Sequence, residues 1–186
     1  SAEASPAVVN VKDNEDGTYT VSYDALTKAG EYVVQVKLSD SDIKDAPFDL
    51  VVAVSSKGSD PEKSFVVGLG DAVAGETQHP IIHSVDEFGN LIAGGGDKVE
   101  VSISGPEDVE VEVKDNGDGT YSADYRPTKA GDYKATVKIN GADVKDSPLS
   151  FTVVPAAVNA GHCVASGPGI SRGKSDKDAP FKVQLR

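Results

Sequence analysis

Tryptophan and methionine are missing from this chain, cysteine occurs once, and arginine appears only at Arg126, Arg172 and Arg186. The single cysteine, Cys163, excludes an internal disulfide and suits a reducing compartment. So few arginines remove the bidentate phosphate fork from most of the chain. Positive charge as a whole is scarce, with 18 basic against 30 acidic side chains and a net charge of −12. A phosphate backbone or an anionic lipid surface is repelled by that balance, so nucleic acid and membrane are poor partners. No apolar run approaches the roughly 18 residues that a membrane helix needs. The N-terminus also lacks the charged-then-apolar order of a secretion signal. Hydrophobic residues reach 38% and aromatics 6% of the 186 residues, enough for the modest core of one or two small domains.

Internal repetition is the strongest signal present. From Asp13 the chain reads DNEDGTYTVSYDALTKAGEYVVQVKLSDSDIKDAPFDLVV, and from Asp115 it reads DNGDGTYSADYRPTKAGDYKATVKINGADVKDSPLSFTVV. An offset near 100 residues is the size of a domain, not of a solenoid unit. Within the repeat the apolar period is two, the mark of strands with one buried face. Tyr121, Ala123 and Tyr125 alternate with Ser122 and Asp124, and Tyr133, Ala135, Val137 and Ile139 alternate with polar neighbours. Val99, Val101 and Ile103 oppose Lys98, Glu100, Ser102 and Ser104, while Val109, Val111 and Val113 oppose Glu110, Glu112 and Lys114. Gly89-Asn90, Gly105-Pro106, Asp118-Gly119 and Asn140-Gly141 punctuate these runs with turn residues.

Seven strands are predicted at 64–68, 78–85, 98–104, 109–114, 120–125, 132–139 and 149–154, named A to G. They specify an all-β, immunoglobulin-like sandwich with A, B, E and D facing C, F and G. Residues 61–154 hold the complete set. Residues 1–54 hold only strands D to G, with D at 7–12, and residues 156–186 hold only A, at 162–165, and a B strand ending at Arg186. Tyr32 and Tyr133, opening strand F, suit a tyrosine corner at the E–F turn.

The sequence declines each catalytic or ligand chemistry tried against it. In a calcium loop with Gly119 at position 6, Lys114 and Tyr125 fall where acidic ligands belong, and Gly17 fails likewise. Gly68-x-Gly70 and Gly167-x-Gly169 lack the third glycine in register and a following helix. His79 and His83 stand too far apart on a strand to share a metal, and Pro80 argues against a helix there. Adjacent His162 and Cys163 would point to opposite faces of strand A. The acidic pairs read as solvated faces. The expectation is no enzyme, no metal and no cofactor.

Tyr125-Arg-Pro-Thr-Lys-Ala-Gly-Asp-Tyr133 resembles the filamin (gelation factor) repeat, as do Lys145-Asp-Ser-Pro148-Leu and its counterpart Asp45-Ala-Pro47-Phe48. Gly95-Gly96-Asp97 and Ala165-Ser-Gly-Pro-Gly-Ile170 are similar to the same family. The first copy departs in having Ala25 for the proline, and the full repeat has Gly68-Leu-Gly70 where the third piece keeps Gly-Pro-Gly. The resemblance implies a stretch of rod from an actin cross-linking scaffold, cytoplasmic and cytoskeletal. Actin itself would be bound by a separate helical domain. It also implies that an extended peptide of another protein adds beside strand C, in the groove between C and D. That groove is Lys98, Val99, Glu100, Val101, Ser102, Ile103 and Ser104 with Val109, Val111 and Val113. A competing expectation is an immunoglobulin-like repeat of a cell-surface adhesin. The incomplete ends are expected to self-associate, by exchange between chains. Connectors of about eight and seven residues, roughly 26 and 23 Å at full extension, would strain to join the ends within one chain.

Overall fold

Alternating valine, tyrosine and polar residues become strands throughout the chain, and no α-helix occurs among the described residues. The computed structural model describes residues 7–158, 160–171, 177–178 and 180–185. The first segment contains β1 (Val9–Asp13), β2 (Tyr19–Tyr23), β3 (Gly30–Val34), β4 (Lys37–Leu38), β5 (Ser41–Asp42) and β6 (Phe48–Val52). The central sandwich contains β7 (Phe65–Val67), β8 (Ala72–Val73), β9 (Ile81–His83), β10 (Val99–Ser104) and β11 (Val111–Asp115). It is completed by β12 (Thr120–Tyr125), β13 (Gly131–Ile139), β14 (Ala142–Asp143) and β15 (Leu149–Val154). The last segment carries β16 (Val164–Ser166) and β17 (Lys182–Gln184).

One sheet of the sandwich has the order β11-β12-β9-β7, and the other β10-β13-β15-β8 with β14 beside β13. Ile82, Tyr121, Ala123, Val137, Ile139 and Val144 form one buried cluster. Ile103, Tyr125, Tyr133, Ala135, Phe151 and Val153 belong to the other, so both sheets feed a common interior. The seven expected strands are present in the expected two sheets, with β8 and β14 in addition. Strand A divides: β7 pairs antiparallel with β9, and β8 crosses over to pair parallel with β15. Gly68, at φ 81°, makes the bend, and Leu69 packs on the core within it. The Gly68-x-Gly70 segment is therefore a crossover between sheets. Strand B is also shorter than expected: Pro80 supplies no N–H, so regular pairing begins at Ile81 and Gln78 meets Tyr125 only as an isolated bridge.

The first segment repeats the wiring of β11 to β15. β1 pairs with β2, β3 with β6, and β4 with β5. Ser39 and Asp40, at φ 48° and 66°, form the tight turn that Asn140 and Gly141 form in the sandwich. Its apolar face is open. Tyr19 is 58% exposed where its counterpart Tyr121 is 1% exposed, and Val9, Val11, Val21 and Tyr23 line a cleft of about 450 Å³ with Leu26, Tyr32 and Leu50. β16 and β17 pair antiparallel and are likewise exposed. The strand expected from His162 starts at Val164 instead. Ala160–His162 is a 3-10 turn and Cys163 follows it, so neither His162 nor Cys163 lies in a strand as expected. Arg186, the expected end of strand B there, lies outside the described residues.

Candidate functional site

β10 and β11 stand at corresponding edges of the two sheets. β10 is hydrogen-bonded along its length to β13, in a register running from Val99 opposite Ile139 to Ser104 opposite Lys134. On its other side the only pairing among the described residues is one bridge, Ile103 to Val109. β11 likewise pairs in a ladder with β12 alone. The Lys98 backbone faces β13: its carbonyl accepts the Asn140 N–H at 2.8 Å, and its N–H donates to Asn140 Oδ1 at 3.0 Å. Backbone groups alternate sides along an antiparallel strand. Those of Val99 and Val101 accordingly turn away from β13, toward the open edge. The two edges meet at the Ile103 end, where Ile103 bridges to Val109.

The expected site residues divide by face. Ile103 is buried, and Val99, Val101, Val109, Val111 and Val113 are half-buried against the core clusters. Lys98 and Glu100 point outward and form an exposed ion pair at 2.6 Å. The Lys98 ammonium holds the Glu100 carboxyl below its usual range. Ser102 and Ser104 are exposed, as are Glu110 and Glu112 across the groove. The floor of the groove is thus valine, its rim is charged, and both β10 and β11 present open backbone along it. Among the residues considered for metal, His79 meets Asp124 at 2.9 Å and His83 stacks on Phe65 with ring centroids 4.9 Å apart. Each has a separate local partner.

In the sequence Gly89-Asn90 stands out only as a turn and Asp97 only as part of the Gly95-Gly96-Asp97 motif, while Asp86 carries no mark of its own. Both carboxylates are hubs. Asp97 accepts the hydroxyls of Ser59 and Ser84, at 2.5 and 2.7 Å, and the Asn140 amide at 2.8 Å. Partial burial opposes ionisation of Asp97, but these bonds hold its carboxyl below the usual range. Asp86 is fully buried and accepts the backbone N–H groups of Ser55, Phe88 and Asn90. Burial works to raise its pKa, and the hydrogen bonds, with Asn90 foremost, bring it down to about 2. The only local sign of this was the spacing Asp86-x-x-Gly89-Asn90. Both expected tyrosine corners are present, with Tyr133 and Tyr32 hydroxyls donating to the Lys129 and Lys28 carbonyls, each at 2.8 Å.

The family model of the Filamin/ABP280 repeat matches residues 1–49 and 58–150. The chain belongs to the filamin repeat family. It is 34% identical to rat Filamin-C over 183 residues, 97% of this chain and 6% of that protein. It is 29% identical to Drosophila Filamin-A over 177 residues, 95% of this chain and 8% of that protein. The chain therefore spans only a small part of the length of these filamins. Among solved structures, the E. coli adhesin FdeC superposes with a TM-score of 0.56 at 24% identity, over 87% of this chain and 52% of that one. That likeness reflects a shared sandwich fold. No helix among the described residues of this filamin-type chain is long and apolar enough to cross a membrane.

Proposed function

We propose that this segment is a non-catalytic spacer and protein-binding module of a filamin-like, actin cross-linking scaffold of the cytoplasmic cytoskeleton. In this reading actin is engaged by a separate domain of the parent protein. Partner proteins are taken as an added strand along β10, in the groove it forms with β11. The half-paired edge of β10 carries this reading: a strand with ladder bonds on one side only is a template for another chain, and main-chain pairing supplies affinity without demanding one side-chain sequence. The same reading treats residues 1–54 and 156–186 as parts of two further repeats around a complete one at 61–154.

The ligand suited to this groove is extended, with small or apolar residues alternating to meet Val99, Val101, Val111 and Val113. Basic residues near its ends would meet Glu100, Glu110 and Glu112. Calorimetric titration of a lysine-flanked peptide of alternating alanine and valine tests it. Ser102→Lys changes the affinity while leaving the thermal midpoint within a few degrees, because Ser102 is exposed. Val101→Pro removes an N–H from the open edge and weakens binding further. Binding indifferent to both substitutions places the partner site elsewhere.

A further inference from the structure

Asn90 lies between two parts of the chain about sixty residues apart. Its Nδ2 donates to the Thr27 carbonyl at 2.8 Å, and its Oδ1 accepts the Ala29 N–H at 3.1 Å. Lys28 Nζ donates to the Phe88 carbonyl at 3.3 Å, closing the contact from the opposite direction. The turn being held, between β2 and β3, is itself fixed by the bond from the Tyr32 hydroxyl to the Lys28 carbonyl. Two of these contacts read turn backbone, so they depend on its shape more than on its side chains.

Asp86 dictates which way the Asn90 amide faces. Its Oδ2 takes a hydrogen from Asn90 Nδ2 at 2.9 Å, and a carboxylate can only accept. The nitrogen must therefore turn toward Asp86 and Thr27, leaving Oδ1 for Ala29. The same carboxylate accepts the Ser55 N–H at 2.9 Å. Lys57 pairs with Glu87 at 2.7 Å, and the Asp60 N–H donates to the Val85 carbonyl at 2.7 Å. The connecting residues 55–60 are thereby laid along loop 85–90 and do not hang as a free tether.

We propose that loop 86–90 is a docking joint between consecutive repeats, with Asn90 as the reading residue. The partner it fits is the β2–β3 turn of the preceding repeat, a Thr-Lys-Ala-Gly turn closed by a tyrosine hydroxyl. The joint gives the two units one orientation and makes this stretch of rod stiff. Thr128-Lys129-Ala130-Gly131 repeats the wording of Thr27-Lys28-Ala29-Gly30, with the Tyr133 hydroxyl on the Lys129 carbonyl. The sandwich therefore offers the same turn to another loop of this chemistry.

Pulsed electron resonance on the full chain, diluted in excess unlabelled chain so that only distances within one chain are read, tests the joint, with spin labels on Ser22→Cys and Glu112→Cys and with Cys163→Ser to remove the native thiol. The expected result is one narrow distance distribution that broadens with Asn90→Ala and more with Asn90→Asp, which sets a second carboxylate against Asp86. A broad distribution in the unaltered chain, or a narrow one that survives Asn90→Asp, overturns the proposal. Amide hydrogen exchange gives a second reading that needs no variant. The Ala29 amide should exchange at least about tenfold more slowly than an unstructured one. Free exchange at Ala29 while Tyr32 and Val34, whose amides face β6, stay protected overturns the joint equally.

Discussion

Tyr125 and Tyr133 occupy equivalent-looking positions in the alternating pattern, yet their hydroxyls meet different surroundings. Tyr133 donates to the Lys129 carbonyl, whereas the buried Tyr125 hydroxyl has no hydrogen-bond partner, and burial raises its pKa. Tyr133→Phe should cost about 1 kcal/mol, while Tyr125→Phe should leave stability unchanged or raise it by about 1 kcal/mol. Chemical denaturation of the two variants beside the parent chain checks this, and a larger loss at Tyr125 contradicts it. Asp86 gives a prediction in pH. Its carboxyl is depressed from 3.8 unfolded to about 2 folded, so its contribution is complete above the unfolded value and is lost as pH falls toward 2. That contribution is about 2 kcal/mol. Stability should therefore fall more steeply with acid in the parent chain than in Asp86→Asn across this interval, and parallel curves would show that Asp86 does not titrate in that window.

At the scale of strands and turns, the hairpin joining β11 to β12 depends on what lies behind it. Gly119 has φ 83°, and a Cβ there would overlap the backbone carbonyl of Ile92. Its own carbonyl accepts the Ser84 N–H at 3.0 Å, so the turn cannot move away without losing that bond. Gly119→Ala should lower stability by about 2–4 kcal/mol, through backbone strain together with the clash. A shift in the denaturation midpoint with an unchanged slope would register it, and a neutral Gly119→Ala would mean that the turn is free of Ile92. The Asp-Gly pair announces a turn by its chemistry. The pressure of residue 92 on residue 119 is a tertiary fact that no local rule contains. β8 and β14 escaped sequence reading for a related reason, since two residues are too few to display a period.

Across the whole molecule, burial is uneven. The central sandwich encloses Tyr121, Tyr133, Ile82 and Val137 almost completely, while the first segment leaves Val9, Val11, Val21 and Tyr23 open and the last leaves Val164 and Val183 exposed. Apolar faces of this kind associate when complementary strands are within reach. Light scattering over a concentration range should show a mass that rises above the monomer, by exchange of strands between chains. A strictly monomeric species, whether its ends resist proteolysis or are rapidly cleaved, contradicts exchange. The sandwich itself should unfold as one cooperative unit, because residues from both sheets share its interior.

Period-two alternation, Asp-Gly and Asn-Gly turns and the internal repeat were enough to specify an all-β sandwich, the places of its main strands and the two tyrosine corners. Each of these is written in residues close together along the chain, where sterics and alternation act directly. The groove between β10 and β11 was half legible: alternation marked which valines turn inward, but the single bridge at Ile103 and Val109 required both sheets in place. The reach of Asp86 to Ser55, the clasp of Asn90 on Thr27 and Ala29, and the unpartnered Tyr125 hydroxyl belong to tertiary structure alone. Hydrogen bonds between groups so distant in sequence leave no periodic trace, and only the packed fold decides which polar groups meet.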